Sequence, residues 1–394
     1  MSPTAAWLAA AKDNPPILVF RLPDKQAYFA SAGAHYPVTG QGEPHHAGII
    51  KAGGLPEIVR EIQNIFSGRT GMVIGREALV DQGNWDTGFG DYDKTFRGAR
   101  LDGYVTFPGL GWNDAELYLT SRILKIETTG QSEMTLFLID ATAEKLKNAM
   151  LAAGSYTSAK LGDVVKARLT AAGLAYPDDF DTTAWAAWVA SGMPGDYTVT
   201  GSWSEGDVFS IIDQLVKGTL SWYGFRRDGK FFIEQFADLG ASPSVDIDLT
   251  TAGTIIKGSS TAHYEPVMRQ VEVKYNGGAS SVIKKVNLLT TDPWWGTARE
   301  DDPVDCGLTL LADATTLADK RLALLSAEHL VSTVRVDYRP LAYNLGDTVK
   351  LDLAACHLPT GAPLYHRVVG IREELNRGYV ELKLWTKVGG PPLS

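Results

Sequence analysis

Apolar and polar positions alternate in three short runs between residues 345 and 386. A period of two is typical of strands that bury one face, and turn-forming residues around Gly361 and Gly378 separate the runs. The sequence therefore predicts an antiparallel meander of three strands, with residues 331–338 as the fourth strand of a small barrel or sandwich. The apolar face of the first and third strands consists of Val349, Leu351, Leu353, Val380, Leu382 and Leu384, and Trp385 falls on the other face.

The N-terminal part combines strand and helix patterns. Residues 17–31 contain two strand-like runs around a Pro-Asp-Lys turn, which predicts a β-hairpin. Residues 55–66 have apolar side chains at helical spacing, with Pro56 suited to the first turn, so we predict a helix there. Strands are predicted near 72–80, 100–107, 116–127 and 133–139, and a short helix at about 141–152.

Helical patterns dominate the middle part of the chain. They cover residues 158–174, residues 182–191 and a stretch that begins after the capping-box-like run 204–207. Trp185 and Trp188 lie three positions apart on the second of these helices, which favours burial in a core. Asp228 and Gly229 stand between two aromatic, alternating runs and predict a hairpin with a type I′ turn.

The remaining residues mix regular elements with a long irregular stretch. We predict a strand over 269–277, an irregular segment over 278–307 and a helix over 310–330. A loop of that length inside a compact domain is usually functional or disordered. All these patterns together predict a β-rich α+β fold, with barrels at the two ends and a smaller α/β block between them. The predicted domains are 1–152, 153–240 and 241–394.

Composition narrows the classes of protein. The chain has 394 residues, of which 44% are hydrophobic and 21% charged, as is usual for a globular protein of two or three domains. Its formal net charge of -9 argues against a primary role in binding nucleic acid, which needs a basic surface. Its apolar runs are too short to span a membrane. Cys306 and Cys356 are too few for a disulfide framework, although one bridge between them stays open.

Two groups of residues could be considered as metal ligands. His45 and His46, with Glu43 nearby, lack the ligand spacing of a zinc site. Asp246 with Asp248, and the acidic run 301–305, offer the oxygen atoms that Ca²⁺ prefers, but neither matches an EF-hand loop. We interpret both acidic stretches as solvated loops, and we predict no metal site.

The sequence contains no catalytic signature either. The serine nucleophile elbow, the HExxH zinc motif, the phosphate-binding loop and the dinucleotide-binding glycine motif are all absent. We therefore predict no enzymatic activity and no cofactor. The better candidates for function are Trp294 and Trp295, which follow Asp292 and Pro293 in the predicted irregular segment, because aromatic residues are enriched at protein interfaces.

The order of motifs resembles the C-terminal end of phage tail hub proteins, which form the central ring of a tail tip or baseplate. A helix and a strand precede LGDxVxL at 345–351, and a VxGI strand at 368–371 is followed by GxVELxLW at 378–385. The middle helix with its Asp-Gly hairpin resembles the middle domain of these proteins. Ser121-Arg122-Ile123 and Asp140 resemble their first barrel.

This resemblance, which covers about residues 100–386, implies a fold and a set of partners. The fold would be two tail-tube-like antiparallel β-barrels joined by a smaller α/β domain. Three chains would present six barrels and so adapt a sixfold tail tube to a threefold fibre or spike. The implied partners are a distal tail protein, a tape-measure protein and a tail fibre or central spike. The implied location is the virion tail tip, after assembly in the host cytoplasm.

An alternative from another class is a carbohydrate-binding or cell-wall-degrading virion-associated β-protein. The Trp and Tyr content of the chain and the long loops at 81–98 and 278–307 favour it. Loss of turnover on substitution of acidic residues in those loops would distinguish an enzyme, whereas saturable glycan binding without turnover would distinguish a lectin-like protein.

Overall fold

A computed structural model describes most of the chain, with interruptions that are more frequent in the N-terminal part. The described residues are 6–7, 9–10, 14, 16–23, 27–30, 46–50, 57–62, 68–74, 76–81, 96–110, 114–129, 133–226, 228–239, 243–250, 255–256, 260–265, 267–286, 299–337, 343–352, 356, 365–374 and 379–389.

The secondary structure is rich in strands, with helices between them. The first strands are β1 (Ile17–Leu22), β2 (Ala27–Ala30), β3 (His46–Ile50), β4 (Glu57–Ile62), β5 (Gly68–Ile74), β6 (Arg76–Asp81), β7 (Arg100–Thr106), β8 (Glu116–Thr129) and β9 (Glu133–Asp140), followed by helix α1 (Ala141–Asn148). The middle elements are β10 (Met150–Leu151), β11 (Gly154–Lys160), α2 (Leu161–Ala171), α3 (Thr182–Trp188), β12 (Thr198–Trp203), β13 (Gly206–Asp207), α4 (Val208–Val216), β14 (Ser221–Phe225) and β15 (Phe231–Gln235). The last elements are β16 (Ile247–Leu249), β17 (Thr261–Glu265), β18 (Met268–Tyr275), β19 (Ser280–Lys285), β20 (Arg299–Glu300), β21 (Val304–Leu308), α5 (Leu311–Leu325), β22 (Glu328–Asp337), β23 (Thr348–Leu351), β24 (Tyr365–Glu374) and β25 (Tyr379–Gly389).

Within the described residues, seven strands close into a barrel in the order β1-β2-β3-β6-β9-β8-β7. All its pairs are antiparallel except β2–β3, which is parallel, so the expectation of a wholly antiparallel barrel is wrong at that pair. The hairpin predicted at 17–31 is confirmed, because β1 and β2 pair from Val19 with Ala30 to Leu22 with Ala27. The barrel has its own core, in which the Trp7 ring lies edge-on to the Phe107 ring at 4.9 Å.

The helix predicted at 55–66 is wrong. Residues 57–62 form β4, which pairs antiparallel with β24 on one side and with β5 on the other. The apolar side chains of this run are spaced as in a helix, but the backbone pairs instead with other strands, and β24 is distant in sequence. The run is rich in β-branched Ile and Val, which favour strands once a neighbouring strand is present.

Strands β4 and β5 extend away from the barrel into a second sheet. β3 and β6, which flank them in sequence, pair within the barrel, whereas β5 pairs parallel with β14 and β4 pairs with β24. The second sheet has ten strands, in the order β15-β14-β5-β4-β24-β25-β22-β17, with β23 also on β24 and β16 on β23. An N-terminal hairpin thus joins a middle hairpin to the C-terminal meander.

The predicted meander is confirmed, and one residue of its second face, Trp385, is buried as well. β23, β24 and β25 pair antiparallel in sequence order, and β22 lies on the far side of β25 as the predicted fourth strand. Val380, Leu382 and Leu384 are fully buried, as the alternation predicts. Trp385, on the opposite face, is also 0% exposed. It is covered by Phe236 and His329, whose rings lie 4.8 and 5.3 Å from its ring.

The middle elements are confirmed, with two local corrections. Trp185 and Trp188 on α3 are buried in the core, as predicted. Asp207 itself caps α4 by accepting a hydrogen bond from the Ser210 amide, so the helix begins later than a cap at Ser204 would place it. The Asp-Gly hairpin is present as β14–β15. The Arg226 amide donates to the Lys230 carbonyl, and the Gly229 amide donates to the Arg226 carbonyl. These bonds make a three-residue loop rather than the predicted two-residue type I′ turn.

The stretch predicted to be irregular at 278–307 contains regular structure. Strand β19 pairs with β18 across a tight turn in which Asn276, Gly277 and Gly278 have positive φ angles. Strands β20 and β21 follow, both parallel to β18. They complete a six-stranded sheet with the path β11-β12-β21-β18-β19, against which α5 packs. Positive φ lets one asparagine and two glycines reverse the chain, a signal that the sequence carried in Asn-Gly-Gly.

A second hydrophobic core runs without interruption from the middle helices into the C-terminal sheet. It includes Leu146 of α1, Trp222 of β14 and Val380 of β25. The division into domains at 152/153 and 240/241 therefore stays a prediction about folding units, since packing is continuous across the second boundary.

Because β4 joins two parts of the second sheet, a proline in it should destabilise that sheet. Val59→Pro removes an amide donor between β24 and β5 and should lower the free energy of unfolding by about 3 kcal/mol. Urea denaturation followed by circular dichroism measures it. Thr261→Pro, at the first residue of edge strand β17, is the matched control with a smaller cost. Equal stability of the two variants would contradict the pairing of β4.

Candidate partner-binding site

A surface cavity lies where β15 ends beside helix α5. Its volume is about 190 Å³. Its walls come from the start of β14, the residues that follow β15 and one face of α5. We call it the α5 pocket; it is lined by Leu220, Gln235, Phe236, Ala237, Asp238, Lys320, Ala323 and Leu324. Most of this lining is apolar, and the polar side chains are few.

Lys320 places an ammonium group on this wall without a carboxylate partner among the described residues. Its Nζ donates to the Gly192 carbonyl at 2.8 Å and to Gln235 Oε1 at 3.1 Å, and lies 3.6 Å from Met193 Sδ. Burial lowers the pKa of Lys320, because the charged form loses water. The acceptors that replace that water are all neutral.

Gln235 contributes one of the acceptors of this ammonium group. Its Oε1 accepts from Lys320, which sets the orientation of the amide, so its Nε2 points elsewhere. Within the described residues, the buried Nε2 has no hydrogen-bond acceptor. An unpaired buried amide nitrogen costs free energy unless an acceptor reaches it. The pocket wall therefore carries one cation, Lys320, which is suited to an anionic oxygen, and an amide oxygen that orients it.

The opposite side of the pocket carries a neutralised charge. Asp238 forms an ion pair with Lys387 at 3.2 Å, and Lys387 Nζ also donates to the Ala323 carbonyl at 3.0 Å. Phe236 lines the pocket, and its ring packs edge-on against the ring of Trp385. The α5 pocket is thus an apolar hollow above the packed Trp385 cluster, with one ammonium group, that of Lys320, left for an external partner.

His329 lies on the inner side of that cluster. Its ring stacks on Trp385, and burial, with the positive charge of Lys387, lowers the pKa of His329 to about 4. Asp238 acts in the opposite direction with a smaller effect. The imidazole is therefore neutral at physiological pH and acts as part of the apolar packing.

Helix α5 is held in place by a buried ion pair. Arg321 pairs with Asp301, and the side chains are 8% and 16% exposed. Arg321 Nη1 also donates to the Gly218 carbonyl at 2.9 Å. The interpretation of 301–305 as a solvated loop is therefore wrong for Asp301, because a cation on a helix distant in sequence brings it into the interior. The spacing of charged residues along the sequence does not indicate that Asp301 and Arg321 form a pair.

The other acidic stretch also has a structural role. Asp246 accepts a hydrogen bond from the Thr348 amide at 2.8 Å, and Asp248 accepts from the Thr250 amide at 2.9 Å. The contact with Thr348 helps to hold β16 beside β23, and the contact with Thr250 is local. No group of three or more His, Cys, Asp or Glu side chains in the described ranges is placed to hold a metal ion.

Several predicted site residues fall outside what the structure describes. Trp294 and Trp295, the candidate partner contacts, lie outside the described residues, as do Glu43 and His45. His46 lies on β3 without a described side chain. Most of the loops on which the carbohydrate alternative depends, residues 82–95 and 287–298, are also outside, so that alternative stays a prediction.

The remaining predicted residues are located. Ser121 lies opposite Asp140 in the β8–β9 pair, as the resemblance implies for a strand, a turn, a strand ending in Asp and a helix. Cys306 and Cys356 are buried free thiols and form no bridge. Burial raises the pKa of Cys306 to about 12 and that of Cys356 to about 11, so both stay protonated and unreactive.

Residues of the α5 pocket were missed by sequence reasoning. Lys320 lies in the predicted last helix, but nothing in its spacing distinguishes it from a solvated lysine. Its environment comes from Gly192 and Gln235, which are more than eighty positions away. Among the described residues, no helix has the length and apolar character that crossing a membrane requires.

The fold is similar to that of a phage tail protein of known structure. No protein-family model matches the chain, and no curated protein matches it in sequence. The tail protein from Neisseria meningitidis MC58 has a similar structure over 94% of this chain and 96% of its own, with a TM-score of 0.54 and 14% identity. The 43 kDa tail protein of prophage MuSo2 from Shewanella oneidensis is similar over 94% and 98%, with a TM-score of 0.47 and 11% identity.

Breaking the buried ion pair should destabilise the contact between α5 and the segment that follows β20. Asp301→Asn should lower the free energy of unfolding by about 3 kcal/mol, because it leaves the Arg321 charge buried without its partner. Urea denaturation measures the change. The double variant Asp301→Asn with Arg321→Met removes both charges and should recover part of the loss. A single variant as stable as the wild type would show that the pair is solvated.

The buried imidazole of His329 should make stability depend on pH in a defined window. The unfolded chain binds the proton at pH 6.5 and the folded chain only at about 4, so stability falls as pH decreases between these values. The total loss is about 3 kcal/mol. His329→Asn, which does not titrate, should lack this loss when unfolding is measured from pH 7.5 to 4. Parallel pH profiles of the two proteins would refute a depressed pKa.

Proposed function

We propose that this protein is a structural component of a phage tail, and specifically the trimeric hub of the tail tip or baseplate. The observation that carries the proposal is the likeness to a tail protein along nearly the full length of both chains. It agrees with the motif order between 345 and 385, which independently resembles tail hubs.

The proposed arrangement has two barrel-like units in each chain. The first is the closed seven-stranded barrel. The second would be built from the ten-stranded sheet that includes β4 and β5, which has end strands in the described residues. Three chains would then present six barrel-like units around one axis. Such a ring can join a sixfold tube on one side to a threefold fibre or spike on the other, because a closed symmetric assembly repeats each contact in every subunit.

The strand edges of the described sheets offer surfaces for such contacts. β17 ends one side of the ten-stranded sheet, and β19 ends one side of the six-stranded sheet. Ile283 on β19 is 49% exposed, although isoleucine is usually buried. Unpaired edges promote strand addition, so such edges are normally covered in an assembly.

The proposed partners are a distal tail protein, a tape-measure protein and a central fibre or spike, and the proposed location is the virion tail tip after assembly in the host cytoplasm. No catalytic step is part of this function. The absence of a catalytic step is supported by the described groups whose pKa values are strongly shifted. Such groups, for example Cys306 and His329, are buried in packing and do not converge in a cleft.

Mass measurement in solution tests the threefold assembly. Light scattering behind a sizing column should give a species of about three times the chain mass of 42.6 kDa, over a wide range of concentrations. A stable dimer would contradict the threefold arrangement. If the protein is monomeric alone, antibody labelling of intact tails decides, since absence of label at the tip would reject the hub.

A further inference from the structure

The α5 pocket has the chemistry of a site for an apolar group that carries an anion. Leu220, Phe236 and Leu324 form an apolar floor, and Lys320 on the same wall carries an ammonium group that donates to Gln235 Oε1. Removing apolar surface from water stabilises a complex. The ammonium group would select among apolar groups those with an oxygen acceptor beside them.

The charge of Lys320 distinguishes it from the other lysine nearby. Lys387 already pairs with Asp238, whereas the described neighbours of Lys320 are a carbonyl, an amide oxygen and a thioether. A carboxylate beside an ammonium adds Coulomb attraction between opposite charges, which a neutral acceptor does not supply. The site is therefore more complementary to a carboxylate than to the neutral acceptors that it now contacts.

The size of the pocket decides between a free ligand and part of a protein. Small-molecule sites usually enclose about 300–1,000 Å³, but the α5 pocket has about 190 Å³. That volume accommodates one large apolar side chain. A side chain on a protein gains further contacts from the surrounding interface, whereas a free molecule of that size would not.

We propose that the α5 pocket is a docking site for another protein of the tail, which inserts one large apolar side chain and places a carboxylate against Lys320. This inference rests on the proposed function for the identity of the partner, but the chemistry of the pocket does not depend on it. Anchor residues in pockets often carry most of the affinity of an interface.

The first test uses a small probe that contains both chemical groups. 4-Methylpentanoate has a branched apolar end and a carboxylate, and 4-methylpentanamide is its neutral counterpart. Saturation-transfer NMR on the full chain should show binding of the acid in the millimolar range and at least tenfold weaker binding of the amide. The proposal is overturned if the acid and the amide bind equally. It is also overturned if neither methyl signal shows transfer at a probe concentration of 20 mM, which is roughly the weakest dissociation constant expected for so small a ligand.

Variants locate the binding to the pocket. Gln235→Glu supplies a carboxylate to Lys320 from within the chain, so the acid should bind about tenfold more weakly. Lys320→Met should have the same effect. Lys284→Met is the matched control, because Lys284 pairs with Asp319 on another side of α5 and should leave probe binding unchanged. Wild-type affinity in Gln235→Glu, or an equal loss in Lys284→Met, overturns the proposal.

Assembly separates this inference from the proposed function. Gln235→Glu should still form the wild-type oligomer in solution, whereas particles that carry it should show at least a tenfold lower yield of complete tails. Normal tails from the variant would reject the docking site and leave the hub intact. Loss of the oligomer in the variant would show that the occupant is a second copy of this chain, which also overturns the proposal.

Discussion

Backbone pairing of one hairpin, β4–β5, connects the three parts of the chain. Its two strands leave the first barrel and insert between β24 of the C-terminal meander and β14 of the middle hairpin. A strand in the interior of a sheet pairs its N–H and C=O groups on both sides. The barrel, the middle hairpin and the meander are therefore held together by backbone hydrogen bonds in addition to side-chain packing.

Packing around Trp385 extends this connection toward the surface. Its ring lies between His329 and Phe236, and Phe236 also lines the α5 pocket. The ion pair between Arg321 and Asp301 holds helix α5, which forms one wall of the pocket, from its buried side. A surface pocket supported in this way keeps its shape, because the groups beneath it are close-packed and fully buried. Rigid support of this kind is suited to the docking proposed for this pocket.

The α5 pocket also illustrates how charge can be left for a partner. Ion pairs neutralise the nearby Lys387 and the buried Arg321, yet Lys320 contacts neutral acceptors. The cost of burying an unpaired ammonium is moderate here because the group is only half-buried and keeps several acceptors. An assembly protein can bear such a cost if an interface later supplies the missing carboxylate.

Local patterns were sufficient for elements whose partners are near in sequence. Alternation determined the C-terminal meander, an Asp-Gly pair determined the β14–β15 hairpin, and helical periodicity determined α2 to α5, because neighbouring residues decide each of these. The strand at 57–62, the burial of Trp385 and Asp301, and the environment of Lys320 were decided only by the tertiary structure. Each depends on groups tens to hundreds of positions away, whose approach no local spacing of apolar or charged residues encodes.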